Sequence, residues 1–276
     1  MASYLETVRE WFRARLDGPG GLSTPEGATL GLRVLAIWRS RMIAQALRAQ
    51  SGGLVLGGPF AGMAYLESAT EGALAPRLIG TYEDELHPHL SAALAEEPEV
   101  ILDIGCAEGY YAVGLARIAP RAEVFAHDTA AAALQACRTM AEMNGVSERV
   151  HTGGLFQPVD FQRFAGRRCL VIVDIEGAED DLLRPDLAPA LAGMRLIVET
   201  HDVYRPGVMD RVRERFEATH EITEVHPAPK TAPLPDILRN RSHLDQLLAV
   251  WEFRAAPTPW LVMKPLSISV DRIEDE

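Results

Sequence analysis

The chain is poor in cysteine and in positive charge, and it has no long apolar run; each shortage excludes something. Its three cysteines, Cys106, Cys137 and Cys169, include no CxxC pair, so neither a disulfide framework nor a cysteine-liganded zinc is supported. Lysine and arginine number 27 against 39 aspartates and glutamates, a net charge of −12, so the basic face of a nucleic-acid binder is not expected. No apolar stretch approaches the ~20 residues of a membrane span. The opening Met1-Ala2-Ser3-Tyr4-Leu5-Glu6 lacks the basic and apolar regions of a signal peptide. The expectation is a cytoplasmic protein that touches neither nucleic acid nor membrane. What is present is ordinary for a globular chain: 276 residues, 47% hydrophobic and 24% charged, enough to bury a sizeable core.

Residues 1–97 read as a helical extension. Tyr4, Leu5, Val8, Trp11, Phe12 and Leu16 recur at helical spacing. Asp17 to Gly21 ends that helix, Ser23-Thr24-Pro25-Glu26 opens another stretch, and Gly31 to Gln50 is again helical. Glycines and a proline between Ser51 and Phe60 make a break, a hairpin or a loop. A helix over 82–95 stops before Pro98. This helical region is read either as a homodimer interface or as a cap over an active site. Residues 98–276 alternate strand and helix. Strands are expected at 99–104, 122–127, 148–153, 168–174, 194–200, 220–225 and 259–264, and helices near 110–118, 130–144, 177–191, 207–217 and 236–250. Such alternation implies an α/β domain, a Rossmann-like doubly wound seven-stranded sheet covered on both faces.

The stretch from Val100 to Tyr111 is where chemistry is expected. Its apolar run ends in Asp103, passes through Gly105 and Gly109, and becomes a helix at Tyr110. Glycines permit the sharp turn and a close approach of the helix start, whose free N–H groups favour an anionic group. A dinucleotide fingerprint reads G-x-G-x-x-G, whereas this stretch reads D-x-G-x-x-x-G. A carboxylate at Asp103 would repel a pyrophosphate but accept hydrogen bonds from an ammonium group, which suits the amino-acid end of S-adenosylmethionine. The plainer alternative is an acid that caps the helix.

Three further strand ends carry polar groups. The second strand closes in Asp128, 19 residues after Gly109, placed either to take both ribose hydroxyls or, with Thr129, to cap the next helix. The fourth strand delivers Asp174 and Glu176, two residues apart and so expected on one side of an extended chain, with Glu179 readable as a surface helix-capping acid. The fifth gives Glu199, Thr200, His201 and Asp202. His201 is positioned to take a proton from an acceptor hydroxyl, or to join Asp174 and Glu199 in holding a divalent metal such as Mg2+. After the third strand, Gly154 and Leu155 offer a place for adenine. Trp251 to Arg254 and Pro257 to Trp260 are read as a lid or substrate wall, with core packing preferred for Trp260.

With these strand ends quoted, the chain resembles the class I S-adenosylmethionine-dependent methyltransferases, and specifically the FkbM-type O-methyltransferases. The turn from Asp103 to Tyr110 matches their Asp-x-Gly-x-x-x-Gly-Tyr, Asp128 matches the acid closing strand two, and Asp174, Glu176, Gly177 and Glu179 match the Lys-x-Asp-Val-Glu-Gly-x-Glu signature. Ala107 stands where the family often has Asn, and Val171 where it has Lys. The resemblance implies that the last strand is antiparallel and inserted beside the fifth, and that residues 78–86, including Tyr82, form an arm over the cofactor. It also implies a cofactor set that takes in Gly105, Cys106, Ala107, Gly109 and Tyr110, with Thr129, Asp174 and Glu176. The expected function is O-methylation of a small-molecule hydroxyl on a sugar or secondary metabolite, with His201, Asp174 and Glu199 catalytic. The rivals are an N-methyltransferase acting on an amine or peptide, and a non-catalytic S-adenosylmethionine-binding partner protein. A nicotinamide dehydrogenase is opposed by Asp103.

Overall fold

The computed structural model describes residues 2–16, 21–70, 72–254 and 256–266. In chain order the first elements are α1 (Ala2–Ala14), α2 (Pro25–Ser51), α3 (Leu74–Ile79), α4 (His87–Leu94), β1 (Val100–Ile104), α5 (Tyr110–Ile118), β2 (Glu123–His127), α6 (Ala131–Met143) and β3 (Val150–Gly153). There follow β4 (Cys169–Val173), α7 (Glu179–Leu182), β5 (Arg195–Glu199), α8 (Val208–Phe216), β6 (His220–Val225), α9 (Asp236–Arg239), α10 (His243–Ala249) and β7 (Trp260–Pro265). The chain divides into two compact units, Met1–Asp84 with Pro229–Ala255, and Glu85–Ala228 with Ala256–Glu276. A single cut at residue 97 does not describe this, because a late excursion of the chain joins the N-terminal segment.

In the first unit, α2 is built as its sequence dictates. The Thr24 side chain accepts the Gly27 N–H at 3.0 Å, Pro25 supplies a preset first turn, and Gly52 ends the helix at φ 64°. The helix therefore starts where Ser23 to Glu26 open the stretch, and it runs without a break through Gly31 to Ser51. Val8 of α1 is buried while Leu5 and Leu16 are more than half exposed, a narrower stripe than the sequence spacing suggests; the expected stop at Asp17–Gly20 lies outside the described residues. The break at 51–60 contains one strand-like bridge, Leu54 to Ala64. The helix expected over 82–95 is shorter, a 3-10 turn at Asp84–Leu86 followed by α4, whose first turn holds Pro88.

A buried charge network ties the two segments of this unit together. Glu252 accepts the Glu83 N–H at 2.8 Å, Lys230 at 2.8 Å and Arg254 at 2.9 Å. Lys230 also reaches Asp84 at 3.0 Å, and Arg254 reaches Glu83 at 2.5 Å. Burial works against the Glu252 carboxylate, but Lys230 and Arg254 more than offset it and hold its pKa below the ordinary value.

The second unit is a seven-stranded sheet in the order β3-β2-β1-β4-β5-β7-β6. β7 runs antiparallel to both its neighbours, β5 and β6, and the pairs among β3, β2, β1, β4 and β5 are parallel. This is the class I methyltransferase architecture, with the last strand inserted where the resemblance implied. Composition explains the order. β1, β4 and β5 are buried along their whole length, as continuous apolar runs must be when helices cover both faces. β2 and the edge strand β6 contain exposed or half-buried positions. Val100, Leu102, Val171, Val173, Leu196 and Val198 pack with Val208, Val212 and Phe216 of α8 on one face. Asp103, one residue out of phase with Leu102, points to the other face.

Two expected helices are shorter than the sequence reading. Over 177–191 only α7 and a 3-10 turn at Pro189–Gly193 form, because Pro185 and Pro189 interrupt the hydrogen-bond ladder. Over 236–250 the helix breaks into α9 and α10, which restarts where the Ser242 hydroxyl accepts the Asp245 N–H at 3.2 Å. No helix among the described residues is long and apolar enough to cross a membrane.

Candidate functional site

The chain leaves β1 toward β2 and β3 on one side and returns to β4 on the other. Open α/β sheets bind ligands at the carboxyl ends of the strands beside such a reversal. Asp103, Asp128 and Asp174 stand at the ends of β1, β2 and β4, which are neighbours in the sheet.

The turn after β1 is tightly built. Gly105 has φ +86°, and a Cβ there would fall 1.6 Å from the Asp174 carbonyl oxygen, so a side chain would push β1 and β4 apart at the point where the crevice opens. Gly109 has φ +92°, and a Cβ there would meet the Cys137 sulfur at 2.8 Å. Its role in this structure is therefore helix-to-helix closeness, α5 against α6. Ala107 takes a left-handed conformation at φ 45° without being glycine, the kind of local strain that collects at functional turns. Cys106 and Tyr110 are buried. A hydrogen bond to Cys137 and burial raise the Cys106 thiol pKa far above its usual range, which makes it a packing residue and a poor nucleophile.

Asp103 is 3% exposed, and its Oδ2 accepts the Ala112 N–H at 2.8 Å. It thus caps α5 from an adjacent strand. Burial pushes its pKa up to about 7, the Ala112 hydrogen bond opposes this, and the negative charge of Asp128 adds to it. Asp128 accepts the Ala107 N–H at 3.0 Å and the Ala130 N–H at 2.7 Å. One oxygen braces the glycine turn and the other the loop into α6; a carboxylate retains further lone pairs for ligand hydroxyls. Thr129 lies in that loop. Beside it, His127 Nδ1 lies 2.9 Å from the Gly154 carbonyl oxygen, which fixes the two strand ends. Leu155 projects into solvent, 70% exposed.

The polar group at the ends of β4 and β5 differs from the sequence expectation in two respects. β4 stops at Val173, so Asp174 and Glu176 do not converge by strand alternation. They converge because the chain turns, with Glu176 at φ 55° and Gly177 at φ 104°. Glu179, read as a surface cap, is fully buried. Its Oε1 lies 2.7 Å from His201 Nδ1 and accepts the Gly177 N–H at 2.9 Å. The carboxylate therefore favours the tautomer with its proton on Nδ1, leaving Nε2 toward the crevice. The signal was present, an acid three residues beyond Glu176 and a histidine closing the next strand, but sequence does not show which way α7 turns.

His201 is itself buried. Its Nε2 lies 3.5 Å from Asp174 Oδ1, 3.5 Å from Glu176 Oε2 and 3.7 Å from Glu199 Oε2. Glu199 is further engaged by the Thr258 hydroxyl at 2.5 Å. Burial disfavours the imidazolium, yet the Glu179 hydrogen bond and the charges of Glu199, Glu179 and Glu176 outweigh it, so the His201 pKa lies above the ordinary imidazole value. The Tyr204 ring stacks over it at 5.9 Å between centroids and 17° between planes. Asp174, Glu176 and His201 present ligand atoms all within 4.8 Å of one another; the metal set expected from sequence had Glu199 in place of Glu176.

Of the remaining expected residues, Trp260 is fully buried in β7, as core. Tyr82 belongs to the first unit, where the Arg77 guanidinium lies 4.2 Å from its ring centroid. Residues 251–254 belong to that unit as well.

A family model described as the methyltransferase small domain matches residues 85–166, the span from just before α4 to just before β4. No curated protein matches the chain. An O-methyltransferase from Bacillus cereus, solved with SAH, is 14% identical, with 66% of this chain and 80% of that chain covered and a TM-score of 0.46. The O-methyltransferase TomG from Streptomyces achromogenes, involved in tomaymycin synthesis and solved with SAM, is 14% identical over 67% of this chain and 81% of that chain, with a TM-score of 0.44. Precorrin-6Y C5,15-methyltransferase from Geobacter metallireducens is 13% identical over 64% of this chain and 86% of that chain, with a TM-score of 0.43.

Proposed function

We propose that the second unit binds S-adenosylmethionine at the ends of β1 and β2 and is an O-methyltransferase acting on a small-molecule hydroxyl, a sugar or secondary metabolite, of the FkbM type. The observation that carries this reading is the row of carboxylates Asp103, Asp128 and Asp174 on three adjacent strands around a glycine turn. Burial works against the Asp103 anion and the Ala112 N–H offsets this only in part, so the anion gains from a nearby cation, which the ammonium group of an amino-acid ligand provides and a pyrophosphate does not. Asp128 would accept the ribose hydroxyls, and Cys106, Ala107, Gly109, Tyr110, Thr129, Gly154 and Leu155 would line the rest.

The cofactor, when bound, supplies a methyl group already made electrophilic by a sulfonium centre. The chain has to align the acceptor oxygen and relieve it of its proton. His201 Nε2 is the group for that task, with Glu179 fixing the tautomer and Asp174 and Glu199 stabilising the imidazolium formed. The spacing of Asp174, Glu176, Gly177 and Glu179 and the 2.7 Å contact of Glu179 with His201 support the assignment.

A second reading adds a divalent cation at Asp174, Glu176 and His201, favoured by their mutual closeness. Two carboxylates and an imidazole suit a hard ion such as Mg2+ or Mn2+ that lowers the pKa of an acceptor hydroxyl.

Calorimetric titration with S-adenosylmethionine and with NAD, each with and without magnesium, tests both readings. Binding of S-adenosylmethionine, weakened about tenfold or more in Asp128→Asn with the fold retained by circular dichroism, is the expected result. No binding, or NAD binding in its place, would overturn the proposal. Magnesium-dependent heat that disappears in Glu176→Gln would favour the metal reading.

A further inference from the structure

The middle of α2 breaks the usual rule for a surface helix. Seven of the nine residues from Leu30 to Trp38 are apolar, distributed around the whole helix, and in the structure only Gly31 among the nine is buried. A helix that is apolar all round is a buried helix. α1 contacts α2, with the Leu22 and Phe12 side chains packed at Gly31. Next to α10, a groove of about 820 Å3 remains, lined by Leu32, Leu35, Trp38, Leu244, Leu247 and Trp251. Leu32, Leu244 and Leu247 are each more than half exposed. No described residue covers them.

We propose that this face is covered by the same face of a second copy, making the protein a two-fold homodimer through α2 and α10. Two features of the face favour an identical partner. The first is charge. An isologous contact places each residue of the patch against the same patch, so an unpaired charge would meet itself or its copy. The arginines of this groove are already engaged within the unit. Arg39 makes two hydrogen bonds of 2.7 Å to Asp245, and Arg33 donates to the Phe253 carbonyl oxygen at 2.6 Å and lies over the Trp251 ring at 5.4 Å. The charges of Arg39 and Asp245 therefore cancel, and the face keeps one net charge, that of Arg33 held beside Trp251, on a chain whose net charge of −12 keeps two copies apart elsewhere.

The second feature is area. The leucines and tryptophans of two such faces together offer apolar surface on the order of 1,000 Å2, the apolar share of a standard protein–protein interface of about 1,600 Å2. Left bare, the patch is also at the upper end of what a monomer normally exposes. This inference stands independently of the reaction proposed for the second unit.

Sedimentation velocity of the full chain between about 1 and 100 μM measures the outcome directly, since an oligomer's population depends on protomer concentration. The expected result is a dimer in the wild type and a monomer in Leu32→Glu and in Leu247→Glu, both exposed positions whose substitution leaves the circular dichroism unchanged. Leu187→Glu, an exposed leucine of the other unit, should remain dimeric. A wild type that is monomeric throughout, whether the groove is empty or holds a small apolar ligand or another protein, would overturn the proposal. So would a dimer that persists in both α2 and α10 variants.

Discussion

A carboxyl group sealed beneath a strand-to-helix turn binds its proton more tightly in the folded protein than in the unfolded chain. For Asp103 the folded value is about 7 and the unfolded one about 3.9. The stability this contributes is fully present below pH ~4 and is lost as pH rises through about 7. Asp103→Asn keeps an acceptor for the Ala112 N–H and never ionises. Its melting temperature should exceed that of the wild type at pH 8, with the advantage shrinking toward pH 4.5; a difference independent of pH, measured by scanning calorimetry, would contradict the assignment. At the same position S-adenosylmethionine binding should weaken, because the charge that burdens the free protein is the one the ligand's ammonium group needs.

Among elements, the segment 229–255 depends on its ion network with residues 83 and 84. Glu252→Gln leaves Lys230 and Arg254 buried with one carboxylate fewer, and removing one partner of a buried pair costs about 3–5 kcal/mol. Urea unfolding should show a loss of that order, whereas a neutral effect would mean that solvent screens the cluster. This network was invisible in the sequence, because Glu83 and Glu252 are 169 residues apart and nothing local marks them as partners. The sheet was legible for the opposite reason. Continuous apolar runs at β1, β4 and β5 state their own burial, and Asp103, Gly105, Gly109 and Asp128 follow at fixed offsets from strand ends. Pro185 and Pro189 were legible too, but the periodic apolar pattern over 177–191 masked their effect. Glu179 shows the limit at the site: its number along the chain is plain, its direction depends on the turn at Glu176 and Gly177.

The whole molecule carries a net charge of −12, and self-repulsion of that kind opposes compaction. Raising sodium chloride from about 10 to 300 mM shortens the screening length severalfold and should raise the melting temperature by a few degrees; a fall would show that attractive pairs such as Arg195 with Glu96 dominate instead. The sheet has a further consequence, in the order of synthesis. β7 lies between β5 and β6 in space but comes after both in the chain. Until residues 260–265 have left the ribosome, β5 and β6 have no strand to join them, and the nascent protein exposes two unpaired edges while residues 226–259 are being added. Bare edges are where strands from other chains attach. The gap is therefore an interval of translation in which this protein would call on a chaperone, and slowing elongation after β6 should lengthen it.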